Sequence, residues 1–270
     1  LRQHQVSTMY LKEALDINTG YLAYGTPAPS ILHKFLSTTG DTAAFAASVL
    51  MSRLGKLELL ETNPDGTFAG ERTISAGSDS VFSLAYASSF ESDSTVIDIE
   101  QEHSFGGSAR YLKSTRAERY SAQSVAFDIG YINLWKRTGF RWSLLVKNIG
   151  PDMTYKEASE PLPFVVVAGG AWRKDIPALG AEPFIAAAEV DFDRERKKTA
   201  RAGLEYWMKH MAAVRAGYQR NGVSNAWTLG GGVEVPGFSF KRDGHMRFDY
   251  ALMLQQNVGS KNIVSFSIDF

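Results

Sequence analysis

The last ten residues, KNIVSFSIDF (261–270), alternate between apolar and polar side chains up to the final position. Val264, Phe266, Ile268 and Phe270 share one face of an extended strand, because successive side chains of a strand point to opposite faces. Chain ends normally fray unless a neighbouring element holds them. We therefore expect this strand to be paired up to its last residue, which few folds permit.

The same alternation recurs along the chain, with turn sequences between the segments. In GFRWSLLVKNI (139–149), Phe140 and Trp142 lie on one face while Arg141 and Lys147 lie on the other. Strands that follow one another without intervening helices indicate an all-β meander. About fourteen strands are predicted, near 3–11, 18–26, 43–60, 78–91, 103–113, 121–135, 139–149, 163–174, 182–192, 199–207, 211–220, 228–241, 245–257 and 261–270, and only 30–36 suits a short helix.

The composition excludes several classes of protein. The chain is 44% hydrophobic and 21% charged with a formal net charge of zero, which argues against disorder and against a nucleic-acid partner. It has no cysteine, so it has neither disulfides nor thiolate metal sites. No segment approaches the roughly 18–20 apolar residues of a membrane-spanning helix. The longest candidate, 161–172, contains two prolines and two glycines.

The chain opens at Leu1 without the basic and apolar regions of a signal peptide. We expect either that such a peptide has been removed or that the start of the protein precedes this sequence. Residues 1–270 are predicted to form a single domain.

Two architectures satisfy the alternation. In a soluble sandwich or propeller the apolar face points inward, whereas in a membrane barrel it faces lipid and the polar face lines the lumen. The polar rows mix both signs of charge with glycine and alanine, which suits an enclosed lumen in which opposite charges pair. The predicted luminal charges are Asp128, Arg141, Lys147, Arg201, Glu205, Arg215, Arg247 and Asp249. Alternation alone does not exclude the soluble protein.

Aromatic residues near the strand ends favour the membrane barrel, because such barrels carry aromatic girdles at both interfaces. These residues are Trp135, Trp142, Trp172, Tyr206, Trp207 and Trp227. A closed barrel also pairs its last strand with its first. The sequence therefore predicts a transmembrane antiparallel up-and-down β-barrel of the bacterial outer membrane.

If the last strand ends at the periplasmic side, the periplasmic turns are short and the outer loops longer and more charged, as in bacterial barrels. The longest predicted outer loops are 61–75 and 150–162. One connection departs from this pattern, because SDSTVIDIEQE (92–102) would form a long periplasmic link.

The second half of the chain resembles the PorV/PorQ group of outer-membrane proteins, relatives of the FadL-type transporters of hydrophobic substrates. The matching features are the Ser-Ala-x-x-x-Ala-Phe-Asp-x-Gly run at 121–130, KNIGP (147–151), EPLP (160–163), GLEYWMKHMAAVRAGYQ (203–219) and the closing SFSIDF. The likeness covers most of 100–270 and is weaker before it.

The resemblance implies a 14-stranded barrel that acts without enzymatic activity in protein secretion and surface attachment, as a docking component for cargo or envelope partners. It implies contacts with lipopolysaccharide and with other secretion proteins. Phe266, Ile268 and Phe270 resemble the signal read by the barrel-assembly machinery. Members of the group usually carry an Asn-Pro-Ala-Gly-like plug motif, which this sequence lacks. The alternative is a FadL-like channel for hydrophobic small molecules, which would need an apolar luminal pocket.

Few motifs indicate chemistry. The sequence has no P-loop, no His-Glu-x-x-His and no Gly-x-Ser-x-Gly, and its five histidines are scattered, so no cofactor, metal or catalytic residue is predicted. DIEQEH (98–103) and DRERKK (193–198) are predicted to be solvated turns. GGG (230–232) is predicted to begin a strand. The luminal charges are predicted to be paired struts, with a conduction path as the alternative. An outer-membrane enzyme and a soluble lectin-like protein remain the other classes.

Overall fold

The computed structural model describes residues 3–13, 16–28, 42–94, 99–156, 158–177, 182–193, 198–222, 224–237, 244–256 and 259–270. Its strands are β1 (Gln5–Lys12), β2 (Asn18–Pro27), β3 (Thr42–Thr62), β4 (Phe68–Ser94), β5 (Ile99–Arg116), β6 (Tyr120–Trp135), β7 (Phe140–Ile149), β8 (Met153–Tyr155), β9 (Ala158–Glu160), β10 (Val165–Ile176), β11 (Glu182–Asp193), β12 (Thr199–Met208), β13 (Ala212–Arg220), β14 (Asn225–Pro236), β15 (His245–Gln255) and β16 (Gly259–Asp269).

Fourteen of these strands close into one antiparallel barrel, and β8 and β9 form a separate hairpin between β7 and β10. This confirms the predicted fold class and strand number. The predicted helix at 30–36 lies outside the described residues. Within the described residues, no helix is long and apolar enough to cross a membrane.

The barrel closes where the chain's two ends meet. β1 pairs with β16 from Gln5 opposite Asp269 to Lys12 opposite Asn262. The N–H of His4 donates to the carbonyl of Phe270 at 3.1 Å, and the N–H of Phe270 donates back at 2.9 Å. The last strand is therefore paired up to its final residue. We call the end of the barrel at which His4 pairs with Phe270 the terminus end, and the opposite end the loop end.

The register separates an outer and an inner row of side chains. Leu204, Ala216, Leu229 and Leu252 lie side by side on neighbouring strands, with most of the exposed large apolar residues in rows of this kind. The adjacent row carries Arg215, which bonds to Asp249 two strands away and so lies on the concave side. Apolar rows therefore face outward and ionic rows face the lumen.

The accessible surface indicates that the barrel has no packed core. The chain exposes 17577 Å². A soluble protein of the same 29.7 kDa mass folded around one core would expose about 11,600 Å². No large side chain of the described residues is completely buried. The inner-face side chains of β12 and β13 are mostly half-buried, and cavities of about 400 and 530 Å³ remain between them, so side chains fill the lumen only in part.

Strand lengths divide the barrel into two walls. A membrane-spanning strand needs about 9–11 residues. β12 and β13 have 10 and 9 residues, whereas β3 and β4 have 21 and 27. We call β3–β6 the tall wall and β10–β13 the short wall.

The tall wall ends in a two-stranded ribbon, residues 54–76, at the loop end. β2 pairs with β3 only as far as Arg53, and β5 pairs with β4 only from Gly77 onward. The predicted long loop at 61–75 is thus mostly strand, with a short turn at its tip. In that turn the hydroxyl and N–H of Thr67 donate to Asp65 Oδ1 at 2.6 and 3.0 Å, and these bonds lower the pKa of Asp65.

Four other local predictions are wrong. The segment 92–102 is not a long link, because β4 continues to Ser94 and β5 begins at Ile99; the same pairing makes most of DIEQEH (98–103) strand. GGG (230–232) lies inside β14. Trp207 does not belong to an outer aromatic girdle, because it shares the inner face with Glu205 and is only 9% exposed.

The connection between β7 and β10, residues 150–164, folds back into the mouth of the barrel at the loop end. The hydroxyl of Ser124 donates to the carbonyl of Pro151 at 2.7 Å, and Leu162 is buried. Ala122 and Ala126, on the inner face of β6, are covered as well. This inner loop narrows the mouth on the side of the tall wall.

Candidate functional site in the barrel lumen

The inner face of β11–β15 carries two groups of ion pairs, one toward each end of the barrel. Toward the loop end, Arg201 Nη1 bonds to Glu189 Oε1 at 2.8 Å and to Asp191 Oδ2 at 2.7 Å. Its Nε donates to Gln219 Oε1 at 3.0 Å. One guanidinium thus ties three neighbouring strands, β11, β12 and β13, and opposes two carboxylates. We call this group the upper cluster.

The lower cluster lies toward the terminus end. Arg215 bonds to Glu205 and, at 2.5 Å, to Asp249 Oδ1. Arg247 Nη2 bonds to Glu234 Oε2 at 2.7 Å. Trp207 packs against both guanidinium groups, 4.8 Å from Arg247 and 6.0 Å from Arg215 to the ring centroid. Two cations and three carboxylates therefore line this end of the lumen.

The glycines of β14 make room for the lower cluster. Arg215 on β13 reaches Asp249 on β15 across β14, where Gly232 lies between them. A Cβ on Gly232 would collide with Asp249 Oδ1 and come within 3.1 Å of Arg215 Nη1. The triple glycine at 230–232 therefore has a packing role in the wall, since a side chain at 232 would separate the ion pair.

Between the two clusters the inner wall carries small side chains. Ala187, Gly203, Gly217 and Thr228 stand side by side on β11–β14. They form the shared floor of two adjoining cavities of about 400 and 530 Å³. Ile132, Met253, Ile185 and Ile263 add apolar side chains to these cavities. We call this region the luminal belt.

The other predicted luminal charges lie at the junction of the two walls. Arg110 bonds to Asp128 at 2.6 Å and to the side-chain oxygen of Asn148 at 2.5 Å. The N–H of Asn148 donates to the same Asp128 oxygen at 2.8 Å. Asn148 has a φ of 62°, a conformation that asparagine tolerates better than most residues, and it lies at a shift in the β6–β7 register.

The register also places Arg141 and Lys147 on the inner face of β7, opposite Ala171 and Val165. Arg141 lines the smaller cavity of the luminal belt. No salt bridge joins either cation to another residue in the described part of the chain. The structure therefore gathers Arg201 into the upper cluster and Glu205, Arg215, Arg247 and Asp249 into the lower one, and it places Asp128, Arg141 and Lys147 elsewhere on the inner face.

Several residues of the site were not predicted as luminal. Arg110, Glu189, Asp191 and Glu234 provide partners for the predicted charges. Glu189 and Asp191 occupy the polar positions of an alternating strand, so periodicity could have found them. Period-two alternation places Trp207 on the same face as Glu205, but an aromatic residue at a strand end also resembles a girdle residue.

The predicted insertion signal lies on the outer face of β16. Phe266 and Ile268 stand opposite Thr8 and Val6 of β1, and Phe270 stacks on His4 with ring centroids 5.7 Å apart. These residues form part of the wall that closes the barrel. Their recognition by an assembly machinery stays a prediction.

The described residues offer no group of three or more side chains suited to a metal ion. The luminal side chains of the two clusters are occupied with one another, and the belt between them presents mostly carbon. This arrangement suits passage or binding of small molecules rather than acid–base or nucleophilic chemistry.

The chain is similar in fold to solved transporter and channel structures. The toluene transporter TodX of P. putida has a TM-score of 0.51 with 11% identity, over 99% of this chain and 90% of that one. A TodX mutant described as a monoaromatic hydrocarbon channel has a TM-score of 0.50 with 11% identity, over 100% and 90%. At such identity the likeness shows the fold alone.

The shared feature is the closed antiparallel β-barrel. No protein-family model and no curated protein matches the chain. Membership of the PorV/PorQ group therefore stays a prediction.

Proposed function

We propose that this barrel resides in the bacterial outer membrane and passes small, largely apolar molecules through its lumen. The observation that carries the proposal is the luminal belt, an accessible stretch of glycine, alanine and aliphatic side chains between two clusters of ion pairs. Each cluster has one carboxylate more than it has guanidinium groups, and its ion pairs tie neighbouring strands together along the wall.

The luminal belt helps to choose between the two functions that the sequence suggests, docking and transport. The sequence predicts mostly charged or small residues at the luminal positions, and this prediction favours docking over transport. In the structure, the ion pairs of β11–β15 lie at two levels, and the level between them is apolar except for Arg141, which stands at its edge on β7. The similarity in fold to TodX, whose name states that it transports toluene, supports the transport reading.

The proposal is tested in outer-membrane vesicles that contain lipopolysaccharide, which slows direct entry of apolar solutes. We expect a fluorescent monoaromatic probe to enter vesicles that contain the barrel faster than vesicles that lack it. Gly203→Phe should reduce entry toward the level of empty vesicles, because a Cβ at Gly203 fits and directs the ring into the belt.

Ala202→Phe is the matched control, because Ala202 is the next residue along β12 and belongs to the outer row. It should leave entry unchanged. Equal entry with and without the barrel, or equal effects of the two substitutions, would contradict the transport proposal.

A second function, docking of secreted or envelope proteins, is favoured by the height of the tall wall. β3 is about 70 Å long at roughly 3.3 Å per residue, far more than a membrane crossing requires. We propose that its upper part contacts protein partners above the lipopolysaccharide, and that Phe266, Ile268 and Phe270 serve the barrel-assembly machinery.

A further inference from the structure

Among the described residues, each strand of the ribbon at 54–76 has one edge that pairs with no third strand, although the N–H of Ser75 on the β4 edge donates to Glu118 Oε1 at 2.9 Å. The last partner of β3 on β2 is Asn18 opposite Arg53, and the last partner of β4 on β5 is Arg116 opposite Gly77. Beyond these pairs the two strands bond to each other from Lys56 to Thr62. At the base of the ribbon, the N–H of Ala117 donates to the carbonyl of Ala76 at 3.0 Å.

Most described side chains of the ribbon are exposed, except for the buried Ile74 and the half-buried residues 54, 55, 70 and 76. Residues 56–61 and 63–69 are all exposed, and they include Leu57, Leu59, Leu60 and Phe68. A two-stranded hairpin is at best marginally stable in water. An exposed apolar edge strand is also a template on which another strand can pair.

The charged side chains of the ribbon indicate the charge that a partner segment should carry. Lys56 and Arg72 are its cations, whereas Glu58, Glu61, Asp65 and Glu71 are its carboxylates. The ribbon thus has a net charge of −2, while the whole chain is neutral. A strand that adds to it gains from lysine or arginine side chains opposite these carboxylates, and opposite charges on paired strands stabilise the pairing.

We propose that an extended, basic segment of a partner protein binds the free edge of β3 in the ribbon by strand addition. Main-chain hydrogen bonds to the free edge supply most of the affinity, as in other cases of strand addition. Apolar side chains of the segment pack on Leu57 and Leu59, and its cations face the carboxylates. This inference rests on the docking function and not on transport.

The test uses the full chain in lipid nanodiscs and a fluorescent nine-residue peptide of alternating valine and lysine. We expect this peptide to bind at least about tenfold more tightly than the same peptide with every main-chain nitrogen methylated. The methylated peptide keeps the side chains and charges but loses the donors that strand addition needs. Amide exchange at 56–61 should slow on binding.

Two variants assign the binding to the ribbon. Replacing 56–75 by Asn-Gly, a preferred two-residue hairpin turn, should abolish binding. The triple variant Glu58→Lys, Glu61→Lys, Glu71→Lys should bind a valine–glutamate peptide more tightly than the valine–lysine one.

Equal binding of the methylated peptide, or binding that survives removal of the ribbon, would overturn strand addition. So would a ribbon-dependent dimer of the chain in the absence of peptide, which would assign the edge to a second copy. The vesicle entry assay needs no peptide, so a failure of transport and a failure of docking are distinguishable.

Discussion

Leu229 on β14 and Leu60 on the ribbon have similar exposure, 60% and 68%, in opposite surroundings. Leu229 belongs to an outer row that continues across the neighbouring strands, at a height that the shortest strands also reach. Leu60 lies beyond Arg53, the last residue of β3 that pairs with β2, and it is paired with Glu71 of β4. The difference shows that exposure alone does not define a lipid-facing surface; the paired neighbours and the strand length do.

The largest expected effect is the difference in unfolding free energy when each of these two leucines is replaced by arginine. Leu229→Arg should lower the free energy of unfolding by about 2–4 kcal/mol, because an arginine near the membrane midplane is poorly solvated. Leu60→Arg should change it by no more than about 0.5 kcal/mol, because Leu60 already meets water. Urea unfolding in liposomes measures both. Similar losses in the two variants would abolish the distinction between wall and ribbon.

A smaller effect is expected on the inner face near the short wall. Gly232→Val should cost about 1–3 kcal/mol, because its side chain would separate Arg215 from Asp249, so that Asp249 loses this ion pair while Arg215 keeps the one with Glu205. Gly231→Ala is the control, since its Cβ points outward and lies 3.4 Å from the nearest atom. If the two substitutions cost the same in urea unfolding, the glycines do not serve the ion pair.

The smallest effect on stability is expected from the ribbon itself. Replacing residues 56–75 by Asn-Gly removes the pairing of β3 with β4 within the ribbon. It keeps all pairing of β3 with β2 and of β4 with β5. The unfolding midpoint of the remaining barrel should shift by the equivalent of about 1 kcal/mol, because the buried Ile74 and the bond from the N–H of Ser75 to Glu118 are lost with the ribbon. A collapse of stability would show that the ribbon packs on the barrel and is not a free-standing element.

These regions also show what the sequence could predict. Period-two alternation located all fourteen strands of the barrel and separated the row of Arg201 from the row of Ala202 and Leu204, because the pleat enforces both. It could not give strand length where turn-like residues lie within strands, as in the ribbon. Asn63, Pro64, Asp65 and Gly66 mark a turn, but the residues on either side continue the pairing.

The luminal site was predictable in its residue types and not in its arrangement. Alternation places Arg215 and Asp249 on the same face, but their pairing depends on barrel curvature and on Gly232 between them. The apolar belt depends on the strand register, which brings Gly203, Gly217 and Thr228 to the same level. Trp207 was assigned to the wrong face because its girdle-like position outweighed its parity with Glu205.

The orientation of the walls is tested most directly by three adjacent residues of β11 in a chain that has no cysteine of its own. Ala187 belongs to the inner row and Ala186 and Ala188 to the outer row. In liposomes, Ala187→Cys should react with a small water-soluble maleimide, whereas Ala186→Cys and Ala188→Cys should not react. Fast labelling of the two outer positions with protection of Ala187→Cys would contradict the barrel orientation, and with it the proposed channel.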